Sequence, residues 1–123
     1  MAKKILIIDD DRYIRELYEE VLKNEGFEVT TALDGEAGLD LILKNSFDLI
    51  LLDVMMPKLD GLGVLAQLRN NPKKPATPIV LLTNLANDPN IAEVIKNSQA
   101  KSYLIKSDFT PDEFLNKVKT FLQ

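Results

Sequence analysis

The sequence predicts an α/β fold, a doubly wound sheet of five parallel strands with helices on both faces. Two observations carry that prediction. Short aliphatic or β-branched runs recur five times, and segments with apolar residues at helical spacing lie between them. The central run, LILLD at Leu49–Asp53, has four consecutive aliphatics and no polar face, as a strand buried on both sides requires. Strands alternating with helices imply right-handed crossovers and hence a parallel sheet.

The elements follow in order. Lys4–Ile8 (KILII) is a buried-type strand ended by Asp9, Asp10 and Asp11. A helix comes next, with Ile14, Leu17, Val21 and Leu22 inward and Arg12, Arg15, Glu16, Glu19 and Glu20 facing water. Asn24-Glu25-Gly26 stops it, with Gly26 as a left-handed cap. Glu28–Ala32 (EVTTA) is a less apolar second strand, and Asp34 caps a helix running to about Asn45 with Leu41 and Ile42 inward. After the strand Leu49–Asp53, Pro57 and Asp60-Gly61 read as turn formers, and Leu62, Leu65 and Leu68 follow at helical spacing. The segment from Asn70 to Pro78 is a proline-rich connector into the strand Ile79–Thr83 (IVLLT). Asp88-Pro89 opens a further helix that buries Ile91, Val94 and Ile95. Ser102–Ile105 (SYLI) is the fifth strand, and Lys106 follows it directly. Thr110-Pro111-Asp112-Glu113 combines a capping box with a first-turn proline, and the last helix buries Phe114, Leu115, Val118, Phe121 and Leu122. The expected strand order is 2-1-3-4-5, the flavodoxin-like arrangement, carried over from known sheets of this kind.

At 123 residues the chain reads as a single domain over residues 1–123, long enough to bury about two-thirds of its unfolded surface. It contains neither cysteine nor histidine. That excludes disulfides, thiol nucleophiles, thiolate or imidazole metal ligands and any histidine general base. The net charge of −4 argues against direct nucleic-acid binding. No apolar run approaches the ~18 residues of a membrane span, and MAKK leads straight into a strand, so a cytoplasmic location is the expectation.

What remains are polar residues at strand ends. Ligands of open parallel sheets sit at the carboxyl ends of the strands. There the first strand offers Asp9 and Asp10, the third Asp53, the fourth Thr83 and the fifth Lys106. A carboxylate is costly to bury unpaired, and clustered carboxylates repel unless a cation intervenes. An oxygen-only set suits Mg²⁺. A carboxylate such as Asp53 can attack phosphorus to give an aspartyl phosphate, while Lys106 and Thr83 are suited to the phosphoryl oxygens. No strong base accompanies them, so the site suits holding a phosphoryl group more than turning it over. Asp11 and Asp34 are read as helix caps, and Asp48 and Asp60 as solvated loop acids.

These residues carry a resemblance. IIDDD, LILLD with the following MMPKLDG, the threonine of IVLLT and YLIK occur in the order and spacing of the response-regulator receiver domains (CheY-like) of two-component signalling, which the chain resembles over its whole length. The resemblance implies a phosphorelay role. Asp53 would accept phosphate from the phosphohistidine of a histidine kinase or phosphotransfer protein. Asp10, Asp53 and the backbone carbonyl of Met55 would bind Mg²⁺, with Asp9 assisting, partly through water. Thr83 and Tyr103 would form a switch that alters a protein-binding surface for an output partner. The protein would be a signalling module rather than an enzyme, limited to self-catalysed phosphoryl transfer and slow autodephosphorylation, and a monomer or a phosphorylation-dependent dimer. Without the family pattern, Tyr103 reads as an edge aromatic, and Met55 and Met56 as loop packing.

The chain departs from the family in three places. Ser107 stands where a proline usually follows the lysine. A cis bond there would cost roughly 3–4 kcal/mol, so a trans Lys106–Ser107 peptide is expected. Asn84 replaces a small residue, and Leu85 and Met55 are apolar where relatives have polar groups that position water, which implies a comparatively long-lived phosphoryl group. The sequence reads to Gln123, just past the last helix, and the expectation is a stand-alone receiver without an output domain, over a fragment of a transcription regulator or hybrid kinase. A haloacid-dehalogenase-type phosphatase needs an acid at position 55, where this chain has Met55. A flavin or nucleotide domain would need glycines where Asp9–Asp11 stand. A degenerate receiver would rest only on Asn84 and Ser107.

Overall fold

A computed structural model describes residues 2–84, 93, 96, 100–106 and 109–123. Its strands are β1 (Lys4–Ile8), β2 (Glu28–Ala32), β3 (Leu49–Asp53), β4 (Ile79–Thr83) and β5 (Ser102–Ile105); its helices are α1 (Arg12–Asn24), α2 (Gly35–Lys44), α3 (Gly61–Arg69) and α4 (Pro111–Phe121). The strands form one parallel sheet in the order β2-β1-β3-β4-β5, as expected. The helix expected after Asp88 lies outside the described residues, apart from Glu93 and Lys96, which are helical and exposed. So do Leu85 and the Lys106–Ser107 peptide.

The all-apolar strands owe their composition to two separate cores. Alternation along a strand sends successive side chains to opposite faces. Ile5, Ile7, Leu49, Leu51, Val80, Leu82 and Leu104 pack with Tyr18 and Leu22 of α1 and with Phe114 and Val118 of α4. Leu6, Ile8, Ile50, Leu52 and Leu81 pack with Ile42 of α2 and with Val64, Leu65 and Leu68 of α3. Every residue of β3 is buried, whereas β2, on the sheet's edge, alternates exposed and covered.

The helix boundaries have identifiable causes. Asp11 accepts from the Ile14 N–H (3.2 Å) and Asp34 from the Ala37 N–H (2.8 Å), the expected caps. Gly26 takes φ 95°, and its N–H and that of Phe27 donate to the carbonyls of Lys23 and Leu22, a Schellman closure of α1. Thr110 and Glu113 form the expected capping box. Several readings are corrected. Asp60 is exposed but is the N-cap of α3, accepting from the Gly63 N–H at 2.8 Å. Asp48 accepts from the Lys4 N–H at 2.7 Å and ties the β3 entry to β1. On α1 the buried positions are Tyr18 and Leu22, while Ile14, Leu17 and Val21 are partly covered.

Candidate functional site

Where β1, β3 and β5 end, three oppositely charged side chains meet out of water. Asp9 is 0% exposed, Asp53 2% and Lys106 6%. The Lys106 Nζ lies 2.8 Å from Oδ2 of Asp9 and 3.0 Å from Oδ2 of Asp53. The backbone holds this convergence: the Lys106 N–H donates to the Thr83 carbonyl at 2.9 Å, and the Val54 N–H to the Leu82 carbonyl at 2.9 Å. Each carboxylate also accepts a local N–H, Asp9 from Asp11 (2.9 Å) and Asp53 from Met55 (3.2 Å).

One ammonium facing two buried carboxylates leaves an excess of negative charge. Burial, and then the charge of Asp9, push the Asp53 carboxyl up to about 7, against the opposing pull of Lys106 and the Met55 N–H. Burial alone would lower Lys106, but its hydrogen bond with Asp9 and the charges of Asp9 and Asp53 outweigh that and raise it. Lys106 is therefore a fixed cation, and Asp53 is a carboxylate that holds its charge only with help.

Exposed Asp10 completes the acidic group: carboxylate oxygens of Asp9, Asp10 and Asp53 lie within 4.8 Å of one another. The Oδ2 of Asp9 is buried and faces the Lys106 ammonium at 2.8 Å. One ammonium thus stands against the three carboxylates of an oxygen-only cluster that carries net negative charge. That donor set fits a hard divalent cation such as Mg²⁺.

Thr83 is fully buried at the end of β4. It pairs in register with Ile105, two residues beyond the Leu81–Tyr103 pair. Alternation therefore puts Thr83 and Tyr103 on one face of adjacent strands, diagonal to each other. Tyr103 is half-buried against the α2/α3 core. Met56 is buried in that core as loop packing, whereas Met55 is 58% exposed beside Asp53. The contact recorded between Met55 and Asp53 is through the Met55 N–H. Asn84 is exposed.

Two features of the site are not legible as such in the sequence. Gly61, read there as a turn former, is the first residue of α3, and the left-handed residue of the β3–α3 loop is Lys58 (φ 66°). A Cβ on Gly61 would overlap the Asp53 carbonyl oxygen and sit 2.9 Å from Val54 Cα, so glycine there permits close approach to the acidic strand end. Arg15, read as facing water, is half-buried and donates from Nη1 to the Asp9 carbonyl at 2.9 Å. Tyr18, one turn on, donates its hydroxyl to the Lys106 carbonyl at 3.4 Å.

Comparisons with known proteins agree with this geometry. The family model for the response regulator receiver domain matches residues 5–119. The transcriptional regulatory protein SrrA of Staphylococcus aureus is 37% identical over 123 residues, all of this chain and 49% of the relative, so the chain spans about half the length of such relatives. Among solved structures, the chemotaxis protein CheY4 of Vibrio cholerae superposes with a TM-score of 0.88 at 31% identity, covering 99% of this chain and 100% of that one. A CheY-like receiver domain protein from Methanospirillum hungatei JF-1 gives 0.86 at 29% identity, covering 99% and 94%. The chain belongs to the response regulator receiver domain family of two-component signalling.

Proposed function

We propose that Asp53 is the phosphoacceptor of a phosphorelay, and the observation that carries this is the buried Asp9–Lys106–Asp53 cluster beside exposed Asp10. An Asp53 oxygen attacks the phosphorus of a partner's phosphohistidine. The P–N bond breaks, its electron pair stays on the imidazole nitrogen, and an acyl phosphate forms on Asp53. Lys106, already charged and fixed, faces the phosphoryl oxygens and offsets their negative charge. Thr83 donates its hydroxyl to another of those oxygens. Asp9, Asp10, Asp53 and the Met55 carbonyl would hold Mg²⁺, which when bound neutralises the carboxylates and the incoming phosphoryl group.

The partner is a histidine kinase or phosphotransfer protein. The diagonal placement of Thr83 and Tyr103 supports a switch in which the threonine moves toward the phosphoryl group and Tyr103 turns into the space it leaves. Nothing near Asp53 among the described residues is an obvious strong base, which supports a signalling module with slow self-dephosphorylation over a phosphatase. A second reading has its own observation: the SrrA relatives are about twice as long and are named transcriptional regulators, so the same receiver could form part of a longer regulator.

Incubation with Mg²⁺ and acetyl phosphate, followed by intact mass measurement, tests the acceptor. One added phosphoryl group on the wild type and none on Asp53→Asn is expected. No adduct, or an equal one on both proteins, defeats the proposal.

A further inference from the structure

Helix α1 touches the backbone of both charged arms of the site. Arg15 Nη1 meets the Asp9 carbonyl and the Tyr18 hydroxyl meets the Lys106 carbonyl, at 2.9 and 3.4 Å. The Tyr18 bond joins residues 88 apart in sequence and is buried. The ring is itself held: it stacks on Phe114 of α4 with centroids 3.9 Å apart and planes 10° from parallel. Tyr18 is 5% exposed and Phe114 1%. A carbonyl can only accept, so the hydroxyl must donate. Burial, then the charge of Asp9, push the phenol up to about 12, which keeps that donor intact.

This contact stands where the chain needs an anchor. Lys106 lies one residue past the end of the edge strand β5, and its N–H is bonded to β4. The N–H of Lys106 is held from the β4 side, and the Tyr18 hydroxyl holds its carbonyl from the α1 side, so the residue is tied at both ends of its backbone. From this we infer that Tyr18, braced by Phe114, is a positioning residue that fixes the backbone of Lys106 so that its ammonium is aimed between Asp9 and Asp53. The inference rests on the phosphoacceptor reading above and adds to it a residue that touches neither the metal ligands' side chains nor the phosphoryl group.

The test uses Tyr18→Phe, which keeps the ring and its stack and removes only the hydroxyl. Phosphorylation by acetyl phosphate should be about three- to tenfold slower at saturating donor, because a misaimed cation costs most in the transition state. Half-saturating acetyl phosphate and Mg²⁺ affinity should stay close to wild type, and the thermal midpoint should fall only by the cost of one lost buried hydrogen bond. The ¹⁵N signal of the Lys106 ammonium should be sharp in the wild type and broadened in the variant. An unchanged maximal rate would overturn the inference. So would a slower rate accompanied by a matching loss of Mg²⁺ affinity and of thermal stability, which would mark general loosening. If the wild type itself takes up no phosphoryl group, the receiver reading fails and this role goes with it; a labelled wild type with an equally fast Tyr18→Phe removes the positioning role alone.

Discussion

The two faces of the sheet reach the strand ends in different physical states. On the α1/α4 face, Asp9, Asp53 and Lys106 continue the alternation of Ile7, Leu51 and Leu104 and lock together through contacts of 2.8 and 3.0 Å. Two bulky aromatics, Tyr18 stacked on Phe114, lie in the core of the same face. On the α2/α3 face, Thr83 and Tyr103 continue the alternation of Leu81, and the edge-strand tyrosine is only half-buried. One face is pinned by charge, and the other carries an aromatic at the margin of the core. Such a division suits a domain that must hold a reactive group still on one side and report its presence on the other. Two-state coupling needs both a fixed anchor and a group with two places to go.

The largest effect should come from breaking the charged face. Lys106→Met leaves two buried carboxylates without a counter-ion, and the metal-free protein should lose roughly 3–5 kcal/mol, as expected when one partner of a buried pair is removed. Chemical denaturation with and without Mg²⁺ measures this, and added Mg²⁺ should restore part of the loss. Phosphorylation should fall by about two orders of magnitude or more.

Next comes the surplus carboxylate. The folded Asp53 carboxyl lies near 7, above its ordinary value of 3.8. Because the folded value is raised, this group favours folding at low pH, and the contribution is lost as pH rises from about 4 through about 7. In the metal-free wild type the contribution of Asp53 should therefore be present at pH 4 and lost by pH 8. Asp53→Asn should remove that part of the pH dependence and raise stability at pH 8 by roughly 2–4 kcal/mol. Mg²⁺ should narrow the gap between the two proteins, since a cation holds Asp53 ionised. Denaturation midpoints across that pH range decide it.

On the opposite side, Gly61→Ala probes the close approach of α3 to the Asp53 carbonyl. The alanine methyl meets backbone, which cannot give way cheaply, so a loss of roughly 2–3 kcal/mol is expected in thermal unfolding. The smallest effect should come from Met55→Asn. An exposed apolar side chain beside Asp53 offers no group to position the hydrolytic water. Asparagine should speed loss of phosphate several-fold, read as decay of the phosphorylated mass, with little change in stability.

The fold was largely legible because its signals are local and redundant. Each strand run, the caps at Asp11, Asp34 and Thr110 and the Gly26 stop can be read from a few neighbouring residues, and their alternation restricts the topology. The charged residues at the strand ends were legible for a related reason: an acid or lysine closing an aliphatic strand has no purpose in the core. What escaped were contacts set by tertiary approach. Nothing in the spacing of α1 says that Arg15 reaches a carbonyl of β1 or that Tyr18 reaches one beyond β5, since both depend on how α1 lies across the sheet. Gly61 looked like a turn residue because a close backbone approach leaves the same mark on the sequence as a left-handed turn. Asp60 looked like a solvated acid because exposure and helix capping are compatible.

The central claim is that a phosphoryl group is carried on the Asp53 side chain, and the most direct measurement locates it chemically. Protein treated with Mg²⁺ and acetyl phosphate would be reduced with borohydride, which converts an acyl phosphate of aspartate to homoserine, then digested and sequenced by mass spectrometry. Homoserine at position 53, and at none of Asp9, Asp10 or Asp60, is the predicted result. Homoserine at another acid, or intact aspartate at every position of a protein that gained phosphoryl mass, would contradict it.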